Sequence, residues 1–99
     1  MVIISFLSYP PEQVKEVAKR FGALPPLPAY ITMKGPYVSS EVGVGIKTTS
    51  LYEYDQSKTK EAMQFVGGRV AKFFGVPGFT YSLHYWSEVS EALEMVGLG

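Results

Sequence analysis

Apolar residues fill both alternations of the chain's first run, Val2-Ile3-Ile4-Ser5-Phe6-Leu7-Ser8-Tyr9. Successive strand side chains point to opposite sides, so the pattern predicts a strand with two apolar faces, suited to the middle of a sheet. Pro10-Pro11-Glu12 then fits a helix start, because proline is tolerated in the first turn and an acidic side chain there complements the helix dipole. Val14, Val17, Ala18 and Phe21 recur at helical spacing with charged residues between them, and Gly22 is a plausible helix stop. Residues 23–28 carry three prolines and cannot continue the helix. They read as a stiff extended connector, in preference to a proline-motif ligand, because they lie between core elements.

A second strand is predicted over residues 30–38, with Pro36 arguing for a sheet edge, where a missing amide donor does no harm. Ser39-Ser40-Glu41 reads as the turn into a third strand over residues 42–54. Gly43 and Gly45 weaken the start of that strand and invite a bulge. Asp55 or Ser57 caps a second helix, whose apolar stripe runs through Ala62, Met63, Val66, Val70, Phe73 and Phe74 until Gly75 and Pro77 end it. Residues 79–86 make a fourth strand. A short C-terminal helix follows, with Val89, Ala92, Leu93 and Val96 expected inward and Glu88, Glu91 and Glu94 outward.

The order strand, helix, strand, strand, helix, strand is that of an α+β, ferredoxin-like βαββαβ sandwich: a four-stranded antiparallel sheet with both helices on one face. Right-handed crossovers then make the first and third strands central and the second and fourth edges. Residues 1–99 form a single domain on this reading. Its element order, length and doubly apolar sheet resemble the dimeric α+β barrel group of the ferredoxin-like fold, over almost the whole chain and as architecture without a residue motif. The resemblance implies two subunits packing their open sheet faces into a barrel, with a small-molecule pocket inside. The group includes cofactor-independent oxygenases, isomerases and haem-handling enzymes, so the fold leaves function open.

Charge narrows the partners. Nine Lys and Arg balance nine Asp and Glu, and no basic stripe of the kind that phosphate backbones require is present, so no nucleic acid partner is expected. Cysteine is absent and there is one histidine, which leaves no basis for a disulfide, a thiolate site or a transition-metal site, and no cofactor is assigned. The run begins in a strand pattern with no leader-like segment and no apolar stretch of membrane-spanning length, and a cytoplasmic homodimer is expected.

Candidate chemistry follows from strand parity. If Tyr81, Leu83 and Tyr85 face the helices, then Thr80, Ser82, His84 and Trp86 face away. The open face is expected to add Ile3, Ser5, Leu7 and Tyr9, then Tyr30, Thr32 and Lys34, then Lys47, Thr49, Leu51 and Glu53. From this set Tyr9, Tyr30, Lys34, Lys47, Thr49, Glu53 and Trp86 are the candidate ligand-binding residues, for an aromatic, carbonyl or anionic molecule in the barrel cavity. His84 is the candidate acid or base of a cofactor-independent monooxygenase or isomerase, with Glu53 or an acid of a partner subunit to orient it. The plainer reading is an edge-strand histidine bonded to a hydroxyl or carbonyl. A structural or regulatory dimer with no small-molecule site is the third reading. Gly67-Gly68-Arg69 lies inside the second helix, where close approach of the helix to the sheet, or a kink, is preferred over a phosphate cradle.

Overall fold

The computed structural model describes residues 1–99. Strands β1 (Val2–Tyr9), β2 (Thr32–Glu41), β3 (Gly45–Glu53) and β4 (Thr80–Trp86) alternate with helices α1 (Val14–Gly22) and α2 (Thr59–Ala71), and α3 (Val89–Met95) closes the chain. All neighbouring strands are antiparallel, in the order β2-β3-β1-β4, so β1 and β3 are central. The result is an α+β fold with a four-stranded open sheet, compatible with ferredoxin-like architecture. No helix is long and apolar enough to cross a membrane.

Both long helices begin in a short 3-10 turn, Pro11–Gln13 before α1 and Gln56–Lys58 before α2. At the second of these the Asp55 carboxylate accepts the Ser57 backbone N–H at 2.9 Å, which satisfies a donor that the helix cannot and holds the carboxyl pKa below its usual value. Ala62, Val66, Val70 and Phe73 carry the buried stripe onto the sheet, while Met63 and Phe74 lie at its margin, exposed. One core cluster joins Ala62 and Val66 to Ile3, Ile31, Tyr52 and Tyr54; the other gathers Tyr9, Val17, Phe73 and Val76.

The hairpin is longer than its sequence suggests. Ser39, Ser40 and Glu41 continue β2, and the turn falls at Val42-Gly43-Val44. Gly43 and Gly45 have φ of 81° and 107°, a region that side chains other than glycine's avoid; Gly43 sits in the turn, and Gly45 opens β3 opposite Glu41. A Cβ on Gly45 would stand 2.6 Å from the Tyr9 carbonyl oxygen, which leaves no room for any other residue there. The one break in register lies in β2, between Lys34 and Tyr37 at Gly35-Pro36, and β3 keeps its alternation.

Strand parity corrects one expectation. Ile3 lies opposite both Tyr52 and Tyr85, Ser5 opposite Ser50 and Leu83, and Leu7 opposite Thr48 and Tyr81, so the odd residues of β1 with Tyr9 face the helices. Val2, Ile4, Phe6 and Ser8 hold the bare face instead. Apolar residues at both alternations carried no signal of which side was which; pairing with β3 and β4 supplies it.

Coverage is thin for a chain of this size. Nine of ten β2 residues and six of seven β4 residues are exposed, so neither edge strand is enclosed. Val89 and Val96, expected inward, are 75% and 68% exposed, because α3 is held only at its start, where Glu91 meets the Met1 ammonium and the Glu88 N–H at 2.8 Å each. The accessible surface is 6326 Å², whereas size scaling for this mass gives about 5,600 Å², an excess of about 700 Å². A radius of gyration of 15.1 Å against about 13 Å for a compact 100-residue domain says the same.

The double glycine of α2 is not a close approach: a Cβ at Gly67 or Gly68 meets nothing within 4 Å, and the helix runs on unbroken. Gly68→Ala is therefore expected to stabilise the protein by about 0.5–1 kcal/mol through lower unfolded-chain entropy. Urea denaturation checks this, and a destabilised variant would show that the backbone there is packed after all.

Candidate functional site

Six of the eight sequence-predicted site residues share the bare face of the sheet. Ile4 lies opposite His84 and Leu51, Val2 opposite Trp86 and Glu53, and Phe6 opposite Thr49, while Lys34 and Lys47 join from β2 and β3. His84 presents its ring to Phe6 edge-on at 5.5 Å and stacks with Trp86 at 6.3 Å. No side-chain hydrogen bond orients this histidine. Glu53 is engaged elsewhere, at 2.7 Å from Lys34 Nζ, and β1 lies between its strand and that of His84.

The two lysines are committed to carboxylates. Glu53 holds the Lys34 pKa above its usual value by hydrogen bond and charge, and Lys47 reaches Glu41 at 3.4 Å. Each ammonium thus has one carboxylate beside it and stays partly open to solvent. Across this face, a band of Val2, Ile4, Phe6, Leu51, His84 and Trp86 is flanked by ion pairs on the β2 side, and the hydrogen-bonded hydroxyls of Ser8 and Thr80 lie at its end, next to Lys47.

Tyr9 and Tyr30 lie elsewhere. Tyr9 is buried on the helix side against Val17, Phe73 and Val76, and burial raises its pKa. Tyr30 precedes β2, packs against the first core cluster, and has Lys58 Nζ 5.7 Å from its ring centre.

A cleft that strand patterning did not reveal opens on that helix side. α1 meets the sheet chiefly through Val17, and between them lies a cavity of about 240 Å³. Twelve of its seventeen lining residues are hydrophobic, and Val14, Phe21 and Val38 at its margin are exposed. Val14, Val17, Ala18 and Phe21 therefore form the apolar stripe predicted for α1, and it faces a void in place of a filled core. Apolar voids of roughly 150 Å³ accommodate benzene, and drug-sized sites run to roughly 300–1,000 Å³. This one suits a ligand of one ring or a short aliphatic chain.

The polar lining is sparse, and all of it belongs to the sheet except one residue of α2. Ser5 and Ser50 lie directly opposite each other across β1 and β3 and are buried; Thr48 and Tyr52 flank them. Arg69 is the single charged residue in the lining. It is 8% exposed and has no carboxylate within ion-pair distance. One guanidinium nitrogen donates to the Pro25 carbonyl at 3.2 Å, another contacts Met33 Sδ at 3.9 Å, and Nε has no partner. Tyr52 and Phe65 place their rings 6.0 and 5.9 Å from the cation. Such contacts return only part of the cost of removing a charge from water.

The sequence did carry a signal for Arg69. It falls at position i+3 after Val66 and beside Val70, inside the apolar stripe of α2, where a charged residue is out of pattern. The proline connector also gains a purpose, since it brings the Pro25 carbonyl and the side chain of Leu24 to the cleft. Comparison with known proteins adds nothing to this picture: no protein-family model matches the chain, and no curated protein matches it significantly.

A buried cation without a counter-charge costs folding free energy, and replacing it by an apolar group of similar length removes that cost. Arg69→Met is expected to leave the melting temperature of the ligand-free protein unchanged or raise it, by differential scanning calorimetry. A loss of about 1 kcal/mol, equivalent to a fall of about 4–8 °C for a domain of this size, would mean that the guanidinium is a structural clamp on the connector.

Proposed function

We propose that the protein is a cytoplasmic homodimer of the α+β barrel type in which each subunit binds a small organic molecule in the cleft between α1 and the sheet. The cleft itself carries this reading. It is a cleft of about 240 Å³, lined by apolar side chains with a few polar groups among them, which is the composition of small-molecule sites. The ligand and the partner use opposite faces of one sheet. Lys34, Lys47, Thr49, Glu53, His84 and Trp86 then belong to the subunit contact and its rim, and Tyr9 belongs to the wall behind the cleft.

Support for a partner on the bare face comes from area and composition. The surface excess of about 700 Å² is close to the roughly 800 Å² that each partner loses in a standard interface. The bare face has the composition for it, with aromatic and aliphatic groups in the middle and ion pairs at the rim. Phe6 at 40% and Trp86 at 54% exposure supply its anchors.

The cleft is tested by titrating ¹⁵N-labelled protein with toluene and 1-hexanol. Amide shifts are expected at Leu7, Val17 and Val70 and not at His84, and Ala18→Phe, which fills the cleft from α1, is expected to abolish them while the fold persists by circular dichroism. Shifts that survive the filling, or none in the unaltered protein, overturn the reading. The pairing is tested separately by sedimentation: a dimer at micromolar concentration is expected, with Phe6→Glu shifting it to monomer because two carboxylates would be desolvated on the shared face. A monomeric unaltered protein ends that part of the proposal.

A further inference from the structure

The identity of the charge in the cleft specifies more than an apolar guest. We infer that the ligand is a small monocarboxylic acid, with its carboxylate on Arg69 and its hydrocarbon body against α1. The inference rests on the cleft being a binding site and adds the ligand's chemical class.

Three observations converge on it. First, Arg69 is more than nine-tenths buried, its Nε has no partner, and its only oxygen acceptor is one backbone carbonyl. A guanidinium presents five N–H donors in a planar fork that matches a carboxylate, and this one leaves most of them unused. Second, every other lining residue is uncharged, so the cleft holds a single positive charge and a monoanion neutralises it, whereas a dianion would leave one charge buried without compensation. Third, hydroxyls occur only on the sheet side, as at Ser5 and Ser50 among apolar neighbours such as Leu7 and Met33, while α1 contributes apolar groups alone, Val14, Val17 and Phe21 among them. That division suits a molecule with one polar end and one apolar end. Lys34 and Lys47, the other basic residues considered for an anion, are already paired with Glu53 and Glu41 on the opposite face.

The size of the cavity limits the body to a single ring or a chain of a few carbons, which makes phenylacetate and hexanoate suitable probes, with phenylacetamide and hexanamide as neutral controls of nearly the same shape. Calorimetric titration of the full chain at neutral pH is expected to show each acid binding at least tenfold more tightly than its amide. Arg69→Met is expected to erase that preference while leaving amide binding within about twofold, and Arg69→Lys to keep part of it, since a point charge replaces a bidentate fork. Affinity for the acids is also expected to fall as pH is lowered through the acid's own pKa, with no such change for the amides. Equal binding of acid and amide, or an acid preference that survives Arg69→Met, overturns the carboxylate inference and leaves the cleft reading intact. Binding of neither acids nor amides, with toluene and 1-hexanol also inert, overturns both. A sharply lowered melting temperature in Arg69→Met is covered by Arg69→Lys, which keeps the charge: a reduced acid preference in the lysine variant at unchanged stability supports the bidentate site, and full retention with unchanged affinity counts against it.

Discussion

The register in which β1 lies between β3 and β4 places Ile3 beside Tyr52 and Tyr85 and turns Phe6 to the other side, and from that pairing the different characters of the two sheet faces follow. Because strand side chains alternate, a slip of one residue would exchange the faces completely. Ser5 would leave the cleft wall for the bare face, and Ile4 would take its place. Register is secured at both ends by groups that admit no alternative. Gly45 approaches the Tyr9 carbonyl too closely for any side chain, and the two core clusters trap Ile3 and Tyr9 at opposite ends of the same strand.

A shortage of covering material is the second constraint. Two helices of nine and thirteen residues cannot enclose two faces of a four-stranded sheet, and they do not fully enclose one. α2 seals its half through Ala62, Val66 and Val70, whose small or branched side chains let it settle on the sheet. α1 seals less, since Val17 alone of its stripe is buried. The cleft is the space left over on the covered side, and the band around Phe6, His84 and Trp86 is the space left over on the other. Arg69 gives the first of these its chemistry, since a guanidinium among tyrosine and phenylalanine rings loses most of its hydration and gains no carboxylate. On the bare face the opposite holds: Lys34 with Glu53 and Lys47 with Glu41 are partly solvated pairs of small individual worth that frame apolar surface.

Much of this was legible residue by residue. The helical spacing of Val14, Val17, Ala18 and Phe21 located α1, the stripe from Ala62 to Phe73 located α2, and Pro36 marked β2 as a strand that does without one amide donor. The parity of β3 and β4 is also legible, because Lys47 and Glu53, and Ser82 and His84, fall on one alternation, and Ile46 and Tyr52, and Tyr81, Leu83 and Tyr85, on the other. That of β1 is not, since its two faces are equally apolar. The hairpin tip was misplaced for a related reason, as Ser39, Ser40 and Glu41 have turn composition but lie within reach of β3, and ladder hydrogen bonds outweigh local preference there.

The chain by itself determined the kinds and order of its elements, the central apolar strand, and the presence of one arginine where the second helix should be apolar. These are local facts, set by period, by glycine and proline, and by side-chain solubility. Only the folded structure decided that α1 stands off from the sheet, that Lys34 and Lys47 find carboxylates while Arg69 finds none, and that Tyr9 and His84 look in opposite directions. Each of those depends on distances between residues far apart in sequence, which no pattern along the chain encodes until antiparallel pairing brings them together.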